Sequence, residues 1–293
     1  MEKVYINRAN ILTPFGNSIQ ANWNELVKGN SAVSKIDSFG HLKNFYAGKI
    51  DDEIFLNLKD QVEDNQIYTR LELFGILALQ SIIDKSKISQ RTAFVISTTK
   101  GNIDQLSDSL EKASIPNFAK KIANYFGFKT EPIIISNACV SGVLAVNIAK
   151  RFIEMDEFDD AYVLALDELT NFVLTGFNSF QAIDFDLCKP FDKDRKGVNL
   201  GEAVACVYLS KNQEKNSFQI LGEASINDAN HISGPSRTGE GLVSSIEIAM
   251  KEANILSNEI DYISAHGTAT LYNDEMEAIA FNRLQLESIP KNS

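Results

Sequence analysis

Short, wholly apolar runs that alternate with helix-like segments set the strongest limit on what this chain can become. Residues 92–97 (TAFVIS), 133–136 (IIIS) and 161–166 (AYVLAL) show almost no polar alternation. A strand of that kind has to be covered on both faces, whereas one that alternates buries a single face. Residues 71–83 (LELFGILALQSII) are apolar on nearly every side, which places that helix in the interior. A further helix is expected over 117–126, and a second apolar one over 143–153, so strands and helices follow each other in turn. The pattern predicts an α/β protein with a parallel-rich sheet covered on both faces.

The flanking segments extend this reading. Residues 4–12 have strand character, 19–27 read as a helix that stops at Gly29-Asn30, and 51–66 are polar surface structure. A turn-rich stretch, 184–201, precedes a strand over 203–209. Residues 211–217 (KNQEKNS) are polar and without periodicity, so they are the expected link between a first half, 1–210, and a second, 218–293. The second half reads as a strand over 218–224, an amphipathic helix over 242–253, a buried strand over 260–265 and a helix over 274–284. Asn273 is the expected N-cap of that last helix, with Asp274, Glu275 and Glu277 as negative charge in its first turn.

Composition excludes several classes. A net charge of −11 and a pI near 4.9 disfavour nucleic acid as a partner. No apolar stretch approaches the ~18–20 residues that cross a bilayer, and no apolar leader follows Met1, so no membrane partner and a cytoplasmic setting are expected. Cys139, Cys188 and Cys206 are odd in number and widely spaced, which points to reduced thiols. Scattered cysteines and three histidines do not make a zinc site. Residues 192–197 (DKDRKG) begin like a calcium loop, but Lys196 occupies a ligand position and Ala203 stands where the bidentate glutamate belongs. No strand precedes Gly239-Glu240-Gly241 and no G-K-[ST] occurs, so nucleotide binding has no support.

Cys139 carries the chemistry. It lies where the run 133–136 turns into the apolar helix, and a thiol at a helix N-terminus is favoured as the nucleophilic thiolate. Asn137-Ala138 before it and Val140-Ser141-Gly142 after it let backbone and ligand approach closely, as in a strand-turn-helix nucleophile elbow. Cys188 and Cys206 lack that setting and are read as structural. His266 directly follows the expected strand 260–265 and precedes Gly267-Thr268, at the strand end where ligands of open α/β sheets bind. His231 belongs to a polar loop, near the site or merely solvated, and His41 carries no signal.

Four segments together resemble the β-ketoacyl-[acyl-carrier-protein] synthases of elongating type. They are SNACVSG around Cys139, KPFDKDRKGVNLGEA over 189–203, DANHISGP over 228–235 and DYISAHGTATLYNDEMEA over 261–278. The resemblance implies a thiolase-like fold of αβαβα layers from two similar halves, the second incomplete here, and a dimer. It implies Cys139 as the acyl-accepting nucleophile, His266 as the first of two histidines acting on the malonyl unit, and Glu277 as an acidic residue that orders the site. Asp192 and Arg195 match a supporting loop, and His231 a supporting position. The implied reaction is a decarboxylative Claisen condensation without metal or redox cofactor, its substrates carried on the phosphopantetheine of an acyl carrier protein. Arg70, Lys120 and Lys121 are candidate members of a basic patch for that acidic carrier.

The family's second histidine, its nearby lysine and its C-terminal gating loop are missing from the sequence, and the favoured expectation is a fragment of a longer polypeptide. Activity of the 293-residue chain alone is left open. Two other classes stay open: a non-condensing partner subunit that sets chain length or an inactive truncated homologue, and a cysteine-dependent acyltransferase or thioesterase of the same fold.

Overall fold

A computed structural model describes residues 2–228, 234 and 236–292. The chain opens with β1 (Tyr5–Thr13), the two-residue β2 (Gly16–Asn17) and α1 (Ile19–Val27). Next come β3 (Ser34–Phe39), β4 (Leu42–Gly48), α2 (Asp52–Lys59), α3 (Arg70–Gln80) and β5 (Thr92–Ser97). α4 (Leu110–Ala113), α5 (Ile115–Phe126), β6 (Ile133–Ile135), α6 (Ser141–Glu154), β7 (Asp160–Asp167) and α7 (Asn171–Ser179) follow. The remainder comprises β8 (Leu200–Gly201), β9 (Ala203–Ser210), β10 (Phe218–Gln219), α8 (Glu240–Ala253), β11 (Ile263–Ser264), α9 (Leu271–Arg283) and β12 (Lys291–Asn292).

Two compact units emerge, and neither is continuous in sequence. The first holds residues 1–34, 47–174 and 201–220; the second holds 35–46, 175–200 and 221–293. The linear division at 211–217 is therefore crossed in both directions. Residues 218–220 belong with the first unit because β10 pairs antiparallel with β1 and the Ile220 N–H donates to Val4 O at 3.0 Å.

In the first unit the strand order is β10-β1-β9-β7-β5-β6. β5 pairs in parallel with β6 and β7 (Ile96 beside Ile134, Val95 beside Val163), while β9 runs antiparallel to both β7 and β1. The expected parallel-rich sheet thus has β9 running against its neighbours. Because successive side chains point to opposite faces, each apolar strand feeds two cores. Phe94, Ile96, Tyr162, Leu164, Leu166, Val204 and Cys206 pack with α3 and α5 on one face. Ala93, Val95, Ala161, Val163 and Leu209 meet Ala145, Ala149 and Ile153 of α6 on the other, where small residues allow close approach.

α3 is interior, as its composition predicts: Leu71 through Leu79 are all buried. Even Glu72 is buried, because it closes a capping box with Thr69 and accepts from Asn102 Nδ2 at 2.9 Å. The thiol of Cys206 lies under the sheet, where burial pushes its pKa up to about 12, which fits a structural residue.

Arg70 is not a surface cation. Its guanidinium makes a two-pronged contact with Glu202 at 2.7 and 2.8 Å, and the Glu202 side chain is fully buried. Lys121 lies 3.3 Å from the carboxylate of Glu72, and Lys120 lies 3.1 Å from that of Glu131. The expected basic patch of Arg70, Lys120 and Lys121 is corrected accordingly, because its arginine is consumed inside the fold and its lysines are locally paired.

The second unit departs further from expectation. The strand expected over 218–224 is reduced to β10, which lies in the first unit, and that expected over 260–265 is the two-residue β11, paired in parallel with β12. Tyr262 and Ser264 are exposed instead of buried. A two-residue ladder leaves the rest of that segment outside regular structure. The last helix begins at Leu271, three residues before the expected start, with Thr270 in place of Asn273 at the N-cap; of the expected acidic first turn only Asp274 remains.

Phe74 of α3 anchors the larger core. It is fully buried, its ring meets Phe55 edge-on at 5.3 Å, and the Arg70 guanidinium lies 4.4 Å from its centroid. Phe74→Ala is expected to cost about 3–5 kcal/mol in urea unfolding, with a smaller loss for Phe74→Leu.

Candidate active site

Cys139 stands in the turn from β6 to α6, within the first unit, and is exposed. Ala138 before it adopts a left-handed conformation, φ 47°, which costs an L-residue about 1–2 kcal/mol. Ser141 holds the turn closed: its hydroxyl accepts the Asn137 N–H at 2.7 Å and donates to Ala138 O at 2.6 Å, and its own N–H donates to Ala138 O at 3.2 Å. The sulfur is thus carried on a rigid, strained bend two residues ahead of a 14-residue helix. Sequence reasoning noticed Ser141 only as a small residue. Its burial to 4% marks it as the fastening of the turn.

The adjacent strand ends are fixed by another carboxylate. Asp167, the last residue of β7, accepts from the hydroxyl of Thr98 at 2.8 Å and from the N–H of Thr99 at 3.0 Å, just past the end of β5. Gly142, the second residue of α6, is where an added Cβ would sit 3.4 Å from Ala165 Cβ of β7. The nucleophile's helix therefore packs close to the carboxyl end of the sheet.

His266, Glu277, Asp192 and Arg195 all lie in the second unit. His266 is exposed on the loop between β11 and α9. Its backbone N–H donates to Glu277 Oε1 and that of Gly267 to Oε2, both at 2.8 Å. Glu277 is 4% exposed and lies in the second turn of α9, so it organises the histidine loop and is no helix-end charge on the surface. The loop needs this anchor because the fully buried Ala269 holds a left-handed φ of 55°.

Arg195 spans from its own loop to the start of α9. It donates to Thr270 O at 3.3 Å and Leu271 O at 2.9 Å, and lies 3.7 Å from the carboxylates of Asp274 and Glu275. The Asp192 carboxylate works locally, accepting the Asp194 N–H at 2.8 Å, while its carbonyl accepts from Arg195 Nη1 at 2.8 Å. Gly197 closes the loop where only glycine fits, since a Cβ there would lie 2.4 Å from Ala182 O. His231 lies outside the described residues.

Asp274 is the residue that sequence reasoning undervalued. Buried to 1%, it accepts the Phe191 N–H at 2.7 Å, pairs with Arg195 and lies 3.5 Å from the Thr268 hydroxyl. One carboxylate thereby joins the 189–197 loop to the 266–270 loop. Its signal in the sequence is its place inside the 261–278 motif, which reads equally well as a helix-end charge.

Replacing Glu277 with Ala removes an ionic acceptor from two backbone donors, each such bond being worth about 1.5–3 kcal/mol. Amide exchange at His266 and Gly267 is expected to accelerate by about 10-fold or more, while that of β5 and β7 stays unchanged. Unaltered exchange at both amides would remove Glu277 from its assigned role.

Comparison with known proteins identifies the family. Residues 86–215 match the profile described as "Beta-ketoacyl synthase, N-terminal domain", and residues 218–291 match "Beta-ketoacyl synthase, C-terminal domain". The chain is 24% identical to 3-oxoacyl-[acyl-carrier-protein] synthase 2 of Vibrio cholerae, an alignment that covers 96% of this chain and 77% of that protein. Among solved structures it is similar to a ketosynthase (ApeO) in complex with its chain length factor (ApeC) from Xenorhabdus doucetiae. That match has a TM-score of 0.86 and 24% identity, and covers all of this chain and 78% of the other. It is also similar to the AntDE:AntF assembly, a type II PKS acyl-carrier protein in complex with its ketosynthase, at TM-score 0.83 and 22% identity, covering 100% of this chain and 80% of that one. With both profiles matched in order and a ketosynthase fold over its whole length, the chain belongs to the β-ketoacyl synthase family.

Proposed function

We propose that this protein catalyses the decarboxylative Claisen condensation of an acyl thioester with a malonyl thioester, in fatty acid or polyketide-type biosynthesis. The observation that carries the reading is the exposed thiol of Cys139 on its Ser141-locked bend ahead of α6. Chemistry of this kind needs a sulfur that a bulky thioester can reach.

In the first half-reaction the Cys139 thiolate attacks the carbonyl of an acyl group on phosphopantetheine. The carrier thiolate leaves and acyl-Cys139 remains, which divides one difficult step into two. In the second, the malonyl unit breaks its bond to the carboxylate, carbon dioxide departs and the electron pair stays behind as an enolate. An imidazole N–H of His266 donates to the enolate oxygen. Its carbon then attacks acyl-Cys139, and the cysteine leaves as thiolate. Loss of carbon dioxide supplies the carbanion, so the scheme needs no metal or redox cofactor. Asp192, Arg195, Asp274 and Glu277 serve as positioning residues, because their contacts are to backbone and to one another.

The reading includes acyl carrier protein as the substrate-bearing partner and a second synthase-like subunit as a structural one. Support comes from similar solved ketosynthases in complex with a chain length factor and with an acyl-carrier protein. Among the described residues no helix is long and apolar enough to cross a membrane. A reducing, cytoplasmic compartment suits a nucleophile that must stay a thiol.

Incubation with an acyl-carrier protein, followed by malonyl-carrier protein and intact-mass analysis, tests the scheme. The expected results are an acyl adduct on Cys139 and a β-ketoacyl product. Cys139→Ala should lose the adduct completely, whereas His266→Ala should keep it and lose product formation by about 100-fold or more. Labelling that persists in Cys139→Ala overturns the assignment. An adduct without product points to simple acyl transfer, and neither points to a non-condensing partner.

A further inference from the structure

Glu168 is a partly buried carboxyl that the reaction does not use. It follows β7 within the first unit, its side chain is 14% exposed, and it shares a single guanidinium with a second glutamate. Glu202 has the better claim on Arg70. Its oxygens receive both guanidinium prongs, the Ile50 N–H at 2.6 Å and the Leu169 N–H at 3.2 Å. Glu168 is left with one approach, 3.5 Å from Arg70 Nη1. Asp104, from the segment after β5, adds a like charge close enough to push the Glu168 carboxyl further up. Asp52 of α2 also reaches Arg70, at 3.9 Å, but its side chain is 70% exposed.

Charge counting therefore leaves more carboxylates than the single available cation can offset. We infer that the cluster is a proton-operated latch on residues 168–171: Glu168 takes up the proton, lies neutral against Arg70 when it holds it, and loosens the loop when it ionises. The repulsion on ionisation comes from Glu202 and Asp104 together. In keeping with this, burial raises the Glu168 carboxyl to about 7, with Arg70 opposing the rise and Glu202 and Asp104 adding to it. The folded chain thus binds this proton more tightly than the unfolded chain does. Its contribution to stability is fully present below the ordinary carboxylate range, declines as the pH climbs through about 7, and stays lost above that.

The latch acts on the same end of the sheet that positions the nucleophile. Residues 168–171 continue directly from Asp167, whose carboxylate clamps Thr98 and Thr99, and β5 pairs with the strand that leads to Cys139. Glu168 is a positioning residue under this inference, and the latch stands whether or not the condensation is the reaction performed.

The test is amide hydrogen exchange on the intact chain between about pH 5 and about pH 9, corrected for intrinsic rates, with infrared detection of a protonated carboxyl near neutrality. In the native sequence, protection of the Leu169, Thr170 and Asn171 amides should fall by about 10-fold across neutral pH. Glu168→Gln, which imitates the protonated form, should abolish that step, keep the high-protection state throughout and remove the carboxyl band. Asp104→Asn should move the step to lower pH, because it removes a like charge that repels ionised Glu168; the inference requires that move. No step in the native protein, a step that survives Glu168→Gln, or a move to higher pH in Asp104→Asn overturns it. If Glu168→Gln does not fold, the infrared band and the Asp104→Asn shift decide alone.

Discussion

The contact between Arg70 and Glu202 is the constraint on which the first unit most depends. Through it the start of α3, the segment before α2, the entry to β9 and the exit from β7 are joined at one buried point, since Ile50 and Leu169 donate to the same carboxylate. A buried ion pair repays its desolvation only when its geometry is good and its remaining sites are filled. Here the fork is two-pronged and both carboxylate oxygens have further donors. Removing either partner would strand the other in the interior, a loss of about 3–5 kcal/mol for pairs of this kind.

The same device recurs at the loops that carry the chemistry. Asp167 gathers Thr98 and Thr99, Asp274 gathers Phe191 and Arg195, and Glu277 gathers His266 and Gly267. In each case a carboxylate at the end of a strand or in a helix binds the backbone of a loop that has no regular hydrogen bonding of its own. A carboxylate suits the task because it only accepts, and its two oxygens serve neighbouring N–H groups at once. Positive φ at Ala269 shows that the histidine loop holds a conformation it would not choose alone, as Ala138 does in the nucleophile bend.

Much of the layout could be read directly from the residues. The two-faced strands β5 and β7, the interior helix α3 and the bend at Cys139 all appear where apolar runs and small residues place them. The misplacements share a cause. Residues 218–224 and 260–265 have strand composition, yet become regular only where a neighbour pairs with them: Phe218 and Gln219 against β1, and Ile263 and Ser264 against β12. Strand propensity states what a segment can do on a pleated surface, and pairing decides whether it does so.

The sequence by itself determined the α/β alternation, the nucleophile turn and the motif set that marks a β-ketoacyl synthase, because these depend on residue type and on neighbours a few positions away. Only the tertiary structure decided which charges are spent inside the fold. Arg70 meets a glutamate 132 positions along the chain, and Asp274 an amide 83 positions back. Nothing local distinguishes such side chains from solvated ones. Burial makes an unpaired charge so costly that the fold, once formed, has to supply a partner, and the partner's identity follows from where the chain returns in space.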